Sequence, residues 1–287
     1  SFPMVEEQYS EVRLYFSSQH NQQAMLFVTR CLLARWIAHQ LQIAKHPDFE
    51  EAKSIDIVNE EEAMEGLDNL FKHITSVDFE SLFLAENPTP QDYLELDDDI
   101  SWSVLHRYLT HLNETSLEQI SSLLRNDGFI DYLFSSIQKF SEQRSKGTVQ
   151  TDYDLGRILA SLTIIDGDET VIDPCCGIGN LLSAAYDVKA ATGVGHQEIC
   201  ESIMGTEIDI LQANLASMKL TLKKPHLVSK SCQPNIISAN LFDSHERISS
   251  ADVILMNPPF KRYELQGDFP LPRDYQDDIS SCFLEAF

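Results

Sequence analysis

Basic residues are scarce in this chain. Lysine and arginine number 21 against 45 aspartates and glutamates, a formal net charge of −24 over 287 residues. The deficit is evenly spread, with 11 basic and 25 acidic residues up to Lys146 and 10 and 20 from Gly147 onward. Phosphate backbones attract basic surfaces and repel acidic ones. The chain by itself should therefore be a poor nucleic-acid binder, and a nucleic-acid substrate would need most of its grip from elsewhere. Long apolar runs are missing as well: no stretch approaches the roughly 20 residues that cross a bilayer. The opening SFPMVEEQYS has neither the basic start nor the apolar core of a secretion signal. The six cysteines, at 31, 175, 176, 200, 232 and 282, include no C-x-x-C pair. They read as reduced thiols of a cytoplasmic protein, and no metal site is expected.

What the chain does contain is ordinary globular composition, 43% apolar and 23% charged, enough for two domains. Residues 1–146 read as helical. Apolar residues at 25, 26, 28, 32, 33, 36, 37 and 41 give Gln22–Ala44 helical spacing, which ends at His46-Pro47. Amphipathic stretches follow near 60–74, 101–112, 116–125 and 128–141, with a loop at Asn87–Pro90 and an acidic turn at Leu96–Asp99. Strand signals begin only after Lys146. Thr170–Asp173, Ile203–Ile208, Asn235–Ala239 and Asp252–Met256 are strand candidates, and helices are expected at Leu181–Ala191 and Asp209–Leu220. The fourth strand, DVILM, is apolar enough to be buried on both faces. Strands alternating with helices predict a doubly wound, mostly parallel α/β sheet from 147 to 287, behind an all-α bundle spanning 1–146.

Three motifs carry chemistry. Asp173-Pro174-Cys175-Cys176-Gly177-Ile178-Gly179-Asn180 follows the first strand and opens a helix. Gly177 and Gly179 would let a ligand approach the backbone, and the helix start offers free N–H groups. An aspartate there would repel pyrophosphate but suits an ammonium group, and the third glycine of a dinucleotide site is missing. S-adenosylmethionine fits better than NAD or ATP. Glu207 closes the second strand, where an acid commonly accepts hydrogen bonds from ribose hydroxyls, and Ile208 could pack on an adenine face. Asn257-Pro258-Pro259-Phe260 follows the fourth strand. A rigid Pro-Pro turn presents acceptors rather than donors at the edge where α/β folds bind ligands. Two acceptors aimed at one amino group would hold it, and Phe260 offers a face for a planar base.

Taken together, Asp-Pro-x-x-Gly-x-Gly, Glu-Ile-Asp and Asn-Pro-Pro-Phe resemble the amino-group N6-adenine DNA methyltransferases. The long helical first half is similar to that of the modification subunits of type I restriction–modification systems, and the Gly-x-Gly-Asn form to that of type II enzymes fusing cleavage and methylation. The resemblance implies a Rossmann-like methyltransferase sheet binding S-adenosylmethionine. It assigns catalysis to Asn257, Pro258, Pro259 and Phe260, and cofactor binding to Thr151, Asp173, Pro174, Gly177, Gly179, Asn180, Glu207, Ile208, Asn240 and Leu241. Thr151-Asp152 stands where the family usually has Thr-Pro, and Asn240-Leu241 where it often has Asp-Phe or Asp-Leu. It also implies double-stranded DNA with a flipped adenine, a specificity subunit or a further recognition region, and in some systems a restriction subunit. The last strands of the sheet would lie past Phe287, so the 287 residues are expected to be a fragment or a truncated chain. Two other readings stay open: a methyltransferase acting on RNA or on a protein amide, and a non-catalytic subunit that binds the cofactor only for assembly.

Overall fold

The computed structural model describes residues 2–12, 27–28, 31–32, 34–36, 38–39, 59–77, 99–124, 126, 128–140, 150–224, 227, 234–240 and 245–258. The chain divides into two compact units, one of residues 1–141 with 222–230, the other of 142–221 with 231–287.

The described part of the first unit is helical: α1 (Pro3–Val12), α2 (Glu60–Val77), α3 (Asp99–Glu114), α4 (Leu117–Leu124) and α5 (Phe129–Phe140). Residues 27–28, 31–32, 34–36 and 38–39 are helical too, and Phe27, Val28, Leu32 and Trp36 of that expected helix are buried. Local chemistry sets the starts. Ser116 and Gln119 form a reciprocal capping box, each side chain accepting from the other's backbone N–H at 3.2 and 3.1 Å. Asn59 accepts from Glu62 N at 2.9 Å and so caps α2. The core gathers Leu67, Leu105, Tyr108, Leu109 and Leu112, with Gln8 Nε2 donating to Thr115 Oγ1 across α1 and the end of α3. Asn87–Pro90 and the first three residues of the expected acidic turn lie outside the described residues, and Asp99 itself begins α3.

The second unit alternates as expected: α6 (Tyr153–Thr163), β1 (Val171–Asp173), α7 (Asn180–Ala191), α8 (His196–Ser202), β2 (Ile203–Glu207), α9 (Ile210–Thr221), β3 (Asn235–Ser238), α10 (His245–Ser249) and β4 (Val253–Ile254). The strands are parallel in the order β3-β2-β1-β4. Register pairs Asp173 with Gly205, Glu207 with Ser238 and Ile172 with Ile254. Strand succession therefore reverses between β1 and β4, the switch point where such folds leave a crevice at their carboxyl ends. Ala160, Val171, Leu181, Leu182, Ala185, Ile203 and Leu220 form the core beneath it. Gly205 is closely covered there: a Cβ would lie 2.6 Å from Ile236 Cδ1 and 2.8 Å from Leu182 Cδ1, so both side-chain ends would have to shift.

The fourth strand is shorter and less enclosed than its apolar run predicts. Asp252 is not part of it; its carboxylate accepts from Thr170 N and Oγ1 at 2.8 and 2.7 Å and ties the strand's entrance to β1. Ile254 is 38% exposed, because β4 ends the described row of strands.

Candidate active site

At the carboxyl edge of the sheet, each strand ends in or is soon followed by a polar residue. Across the order β3-β2-β1-β4 these are Asn240, Glu207, Asp173 and Asn257. The two acids face the glycine turn. Asp173 is 2% exposed, and its Oδ1 accepts the Cys175 N–H at 3.1 Å, which closes the turn directly after buried Pro174. Glu207 accepts Gly177 N–H on one oxygen and Asp209 N–H on the other, each at 2.9 Å. Each carboxylate oxygen has a further lone pair beyond these bonds. Among the described residues neither acid has a cationic partner. Burial pushes Asp173 up to about 7, with the neighbouring Glu207 charge adding to it, and burial raises Glu207 as well. Two desolvated carboxylates beside one turn favour a ligand that brings positive charge and hydroxyl donors.

The glycines of the turn differ in purpose. Gly177 sits at φ +54°, and the nearest atoms to a Cβ there would be side-chain atoms of Gln150 and Gln212, at 3.4 Å or more. Gly179 sits at φ +80°, and its missing Cβ makes room for α9: a Cβ would lie 2.9 Å from that of Ala216. Its absent side chain thus serves helix packing rather than ligand approach. Ile208, beside Glu207, is 72% exposed. Asn240 follows Ala239, whose N–H donates to the Glu207 carbonyl at 3.0 Å, so it lies next to the end of β2.

On the far side of the switch point, Asn257 Nδ2 donates to Thr151 Oγ1 at 3.0 Å. Thr151 is tied in turn to the glycine turn, because Asn180 Nδ2 donates to its carbonyl at 2.8 Å. Lys219 Nζ, 8% exposed on α9, donates to Asn180 Oδ1. Asp152, which replaces the family's usual proline, is the N-cap of α6 and accepts from Asp154 and Leu155 N–H at 2.9 and 3.2 Å. Leu241, Pro259 and Phe260 lie outside the described residues. The structure thus links Asp173, Gly177 and Glu207 around the turn, and Asn180, Thr151 and Asn257 through hydrogen bonds. Sequence reasoning passed over Lys219 and Gln212. Burial and tertiary pairing single them out, and no local pattern announces either.

The sequence profile of the N-6 DNA Methylase family matches residues 126–270, 145 of the 287. A search of curated proteins found no match. Among solved structures, a protein described as a modification subunit of a type I restriction enzyme from Vibrio vulnificus YJ016 superposes with TM-score 0.64 at 18% identity, covering 99% of this chain and 66% of that one. The type IIG restriction endonuclease BpuSI superposes with TM-score 0.53 at 21% identity, covering 92% of this chain and 27% of that one. At these identities the likeness shows the fold, and this chain spans less than two thirds of either relative.

Proposed function

The chain belongs to the N-6 DNA Methylase family, and from that premise we propose that it transfers a methyl group from S-adenosylmethionine to the N6 amino group of adenine in DNA, within a restriction–modification system. The observation that carries this reading is the split edge. Two carboxylates that have no cationic partner among the described residues stand on one side of the switch point, and Asn257-Pro258 on the other.

The residues present fit the cofactor. Asp173 suits its ammonium group, Glu207 its ribose hydroxyls, and exposed Ile208 and Asn240 its adenine. Gly177 keeps the turn open, Gly179 and Pro174 hold its shape, and Asn180 and Thr151 brace it. When bound, S-adenosylmethionine supplies an activated methyl group and departs as a neutral thioether. Asn257 Oδ1 and the Pro258 carbonyl accept the hydrogens of the target amino group and offset the positive charge that develops on its nitrogen. Holding both reactants at the switch point removes most of the entropic cost of their encounter. Phe260 stacks on the extruded base, and Pro259 stiffens the turn before it. The surplus proton leaves the nitrogen for water.

The net charge of −24 assigns DNA binding mainly to another surface, that of a specificity subunit or a further recognition region. A restriction subunit completes the system. Mapping N6-methyladenine in the DNA of cells carrying the whole gene with its neighbours, intact or as Asn257→Ala, tests the proposal. Methylation of one sequence motif that disappears in the variant supports it. Identical patterns overturn it and redirect attention to RNA, to protein amides or to an assembly role.

A further inference from the structure

We propose that Lys219 is a positioning residue that places the Asn257 side chain through Asn180 and Thr151; this rests on the methyl-transfer reading above. An ammonium group at 8% exposure is costly to bury without a strong partner. Lys219 Nζ donates to Asn180 Oδ1, at the first turn of α7.

The consequence follows from donor and acceptor counting. A lysine ammonium has three donors and no acceptor, so only the oxygen end of an amide can face it. Asn180 is thereby oriented with Nδ2 pointing away from Lys219, and that nitrogen donates to the Thr151 carbonyl at 2.8 Å. The bond fixes the backbone one residue before Asp152, the cap of α6. Thr151 Oγ1 then accepts from Asn257 Nδ2 at 3.0 Å. With Nδ2 donated in this way, the oxygen is the end of Asn257 that receives a hydrogen from a target amino group. The reversed amide would set its own N–H groups against that amino group and repel it. A fixed charge on α9 thus holds in place, over three hydrogen bonds, the residue that Asn257 rests on after β4; the Thr151 hydroxyl can donate as well as accept, so what it passes on is position.

The full chain with its partner subunits is compared with Lys219→Met, Thr151→Val, the double variant and Thr151→Ser. Turnover on DNA, S-adenosylmethionine affinity and the side-chain amide signal of Asn257 are followed, that signal being identified by its loss in Asn257→Ala. Lys219→Met and Thr151→Val should each lower kcat about tenfold or more, as small misplacements of a catalytic group do. Both should move the Asn257 amide signal. The double variant should lose no more than the worse single one, because both cut the same chain. Thr151→Ser should recover most of what Thr151→Val loses. Cofactor affinity in Lys219→Met should stay within about threefold of wild type, since no cofactor-binding acid is touched. An unmoved Asn257 signal in Lys219→Met, or kcat losses that multiply in the double variant, overturns the relay. If Lys219→Met does not fold, Thr151→Val decides, and an unmoved Asn257 signal there is equally fatal. If wild type methylates no DNA, the functional reading fails while the amide signals still decide the relay.

Discussion

On one side of the gap between β1 and β4 stand two carboxylates held by backbone N–H groups, Asp173 by Cys175 and Glu207 by Gly177 and Asp209. On the other stands a neutral amide, Asn257, whose Nδ2 donates to a side-chain hydroxyl. Backbone donors are fixed by the turn itself, so the acidic side is set as soon as β1, β2 and the glycine turn form. The amide side depends on a tertiary contact with residue 151, more than 100 positions away in sequence. Under the proposed function, the difference makes binding and turnover separable: the first is a property of the turn, the second of a contact that spans the crevice.

The sharpest way to break that comparison is Asn257→Ala. It removes an acceptor aimed at developing charge, which in other enzymes costs roughly 10²–10³ in kcat. Cofactor affinity should be unchanged, because the acids remain. Equal losses in kcat and in affinity, measured by turnover and calorimetry, would show that the two sides are one. The next largest effect is expected from Asp173→Ala. Losing a charge-assisted contact to an ammonium group costs about 1.5–3 kcal/mol, or about 10- to 100-fold in cofactor affinity. Base modification at saturating cofactor should survive.

Both sides were legible in the sequence at their strand ends. Pro174, the glycines and the Asn257-Pro258 turn punctuate strand ends, so strand edges and their polar residues could be placed from local pattern alone. The parallel alternation was legible for the same reason, as were α2 to α5 of the first unit through their apolar periodicity, whereas α1 was read only as part of a helical half. What pattern could not reach was anything set by packing. α6, α8 and α10 were not anticipated, and the last two are only seven and five residues long. The apolar run at 252–256 predicted a strand covered on both faces, yet Asp252 turns to Thr170 and Ile254 stays partly exposed. Gly205 looks like a weak strand residue until Ile236 and Leu182 are seen to fill the space above it. Lys219 belongs to no motif; its role needs Asn180 beside it.

A smaller effect sharpens the acidic side further. Asp173 is pushed up to about 7 by burial, so near neutrality it is partly protonated. A cationic ligand favours the ionised form, and affinity for S-adenosylmethionine should rise roughly tenfold between pH 6 and pH 8. Without ligand the sign is opposite. Between the ordinary aspartate value of 3.8 and about 7 the folded state holds a proton that the unfolded state has lost. Stability of the second unit should therefore fall as pH rises through that window, and added cofactor should reverse the trend. Thermal unfolding with and without cofactor at several pH values reads both. A flat affinity profile would place the ammonium group away from Asp173.

The smallest effect concerns the amide side and the departure from Thr-Pro. Asp152 caps α6 through Asp154 and Leu155 N–H, and replacing such a cap with alanine costs about 1 kcal/mol. If the cap only starts the helix, Asp152→Ala should lower the unfolding temperature slightly and leave kcat alone. The residue, however, adjoins Thr151, whose carbonyl and hydroxyl both sit in the contact with Asn180 and Asn257. Fraying of the first turn of α6 would loosen that contact while leaving the two acids and their backbone donors untouched. A fall in kcat at unchanged cofactor affinity is therefore the expected result, modest beside that of Asn257→Ala. It would place the start of α6 on the turnover side of the crevice. A loss of affinity instead would show that segment 150–152 serves the acidic side, and the division drawn here between the two would move by one strand.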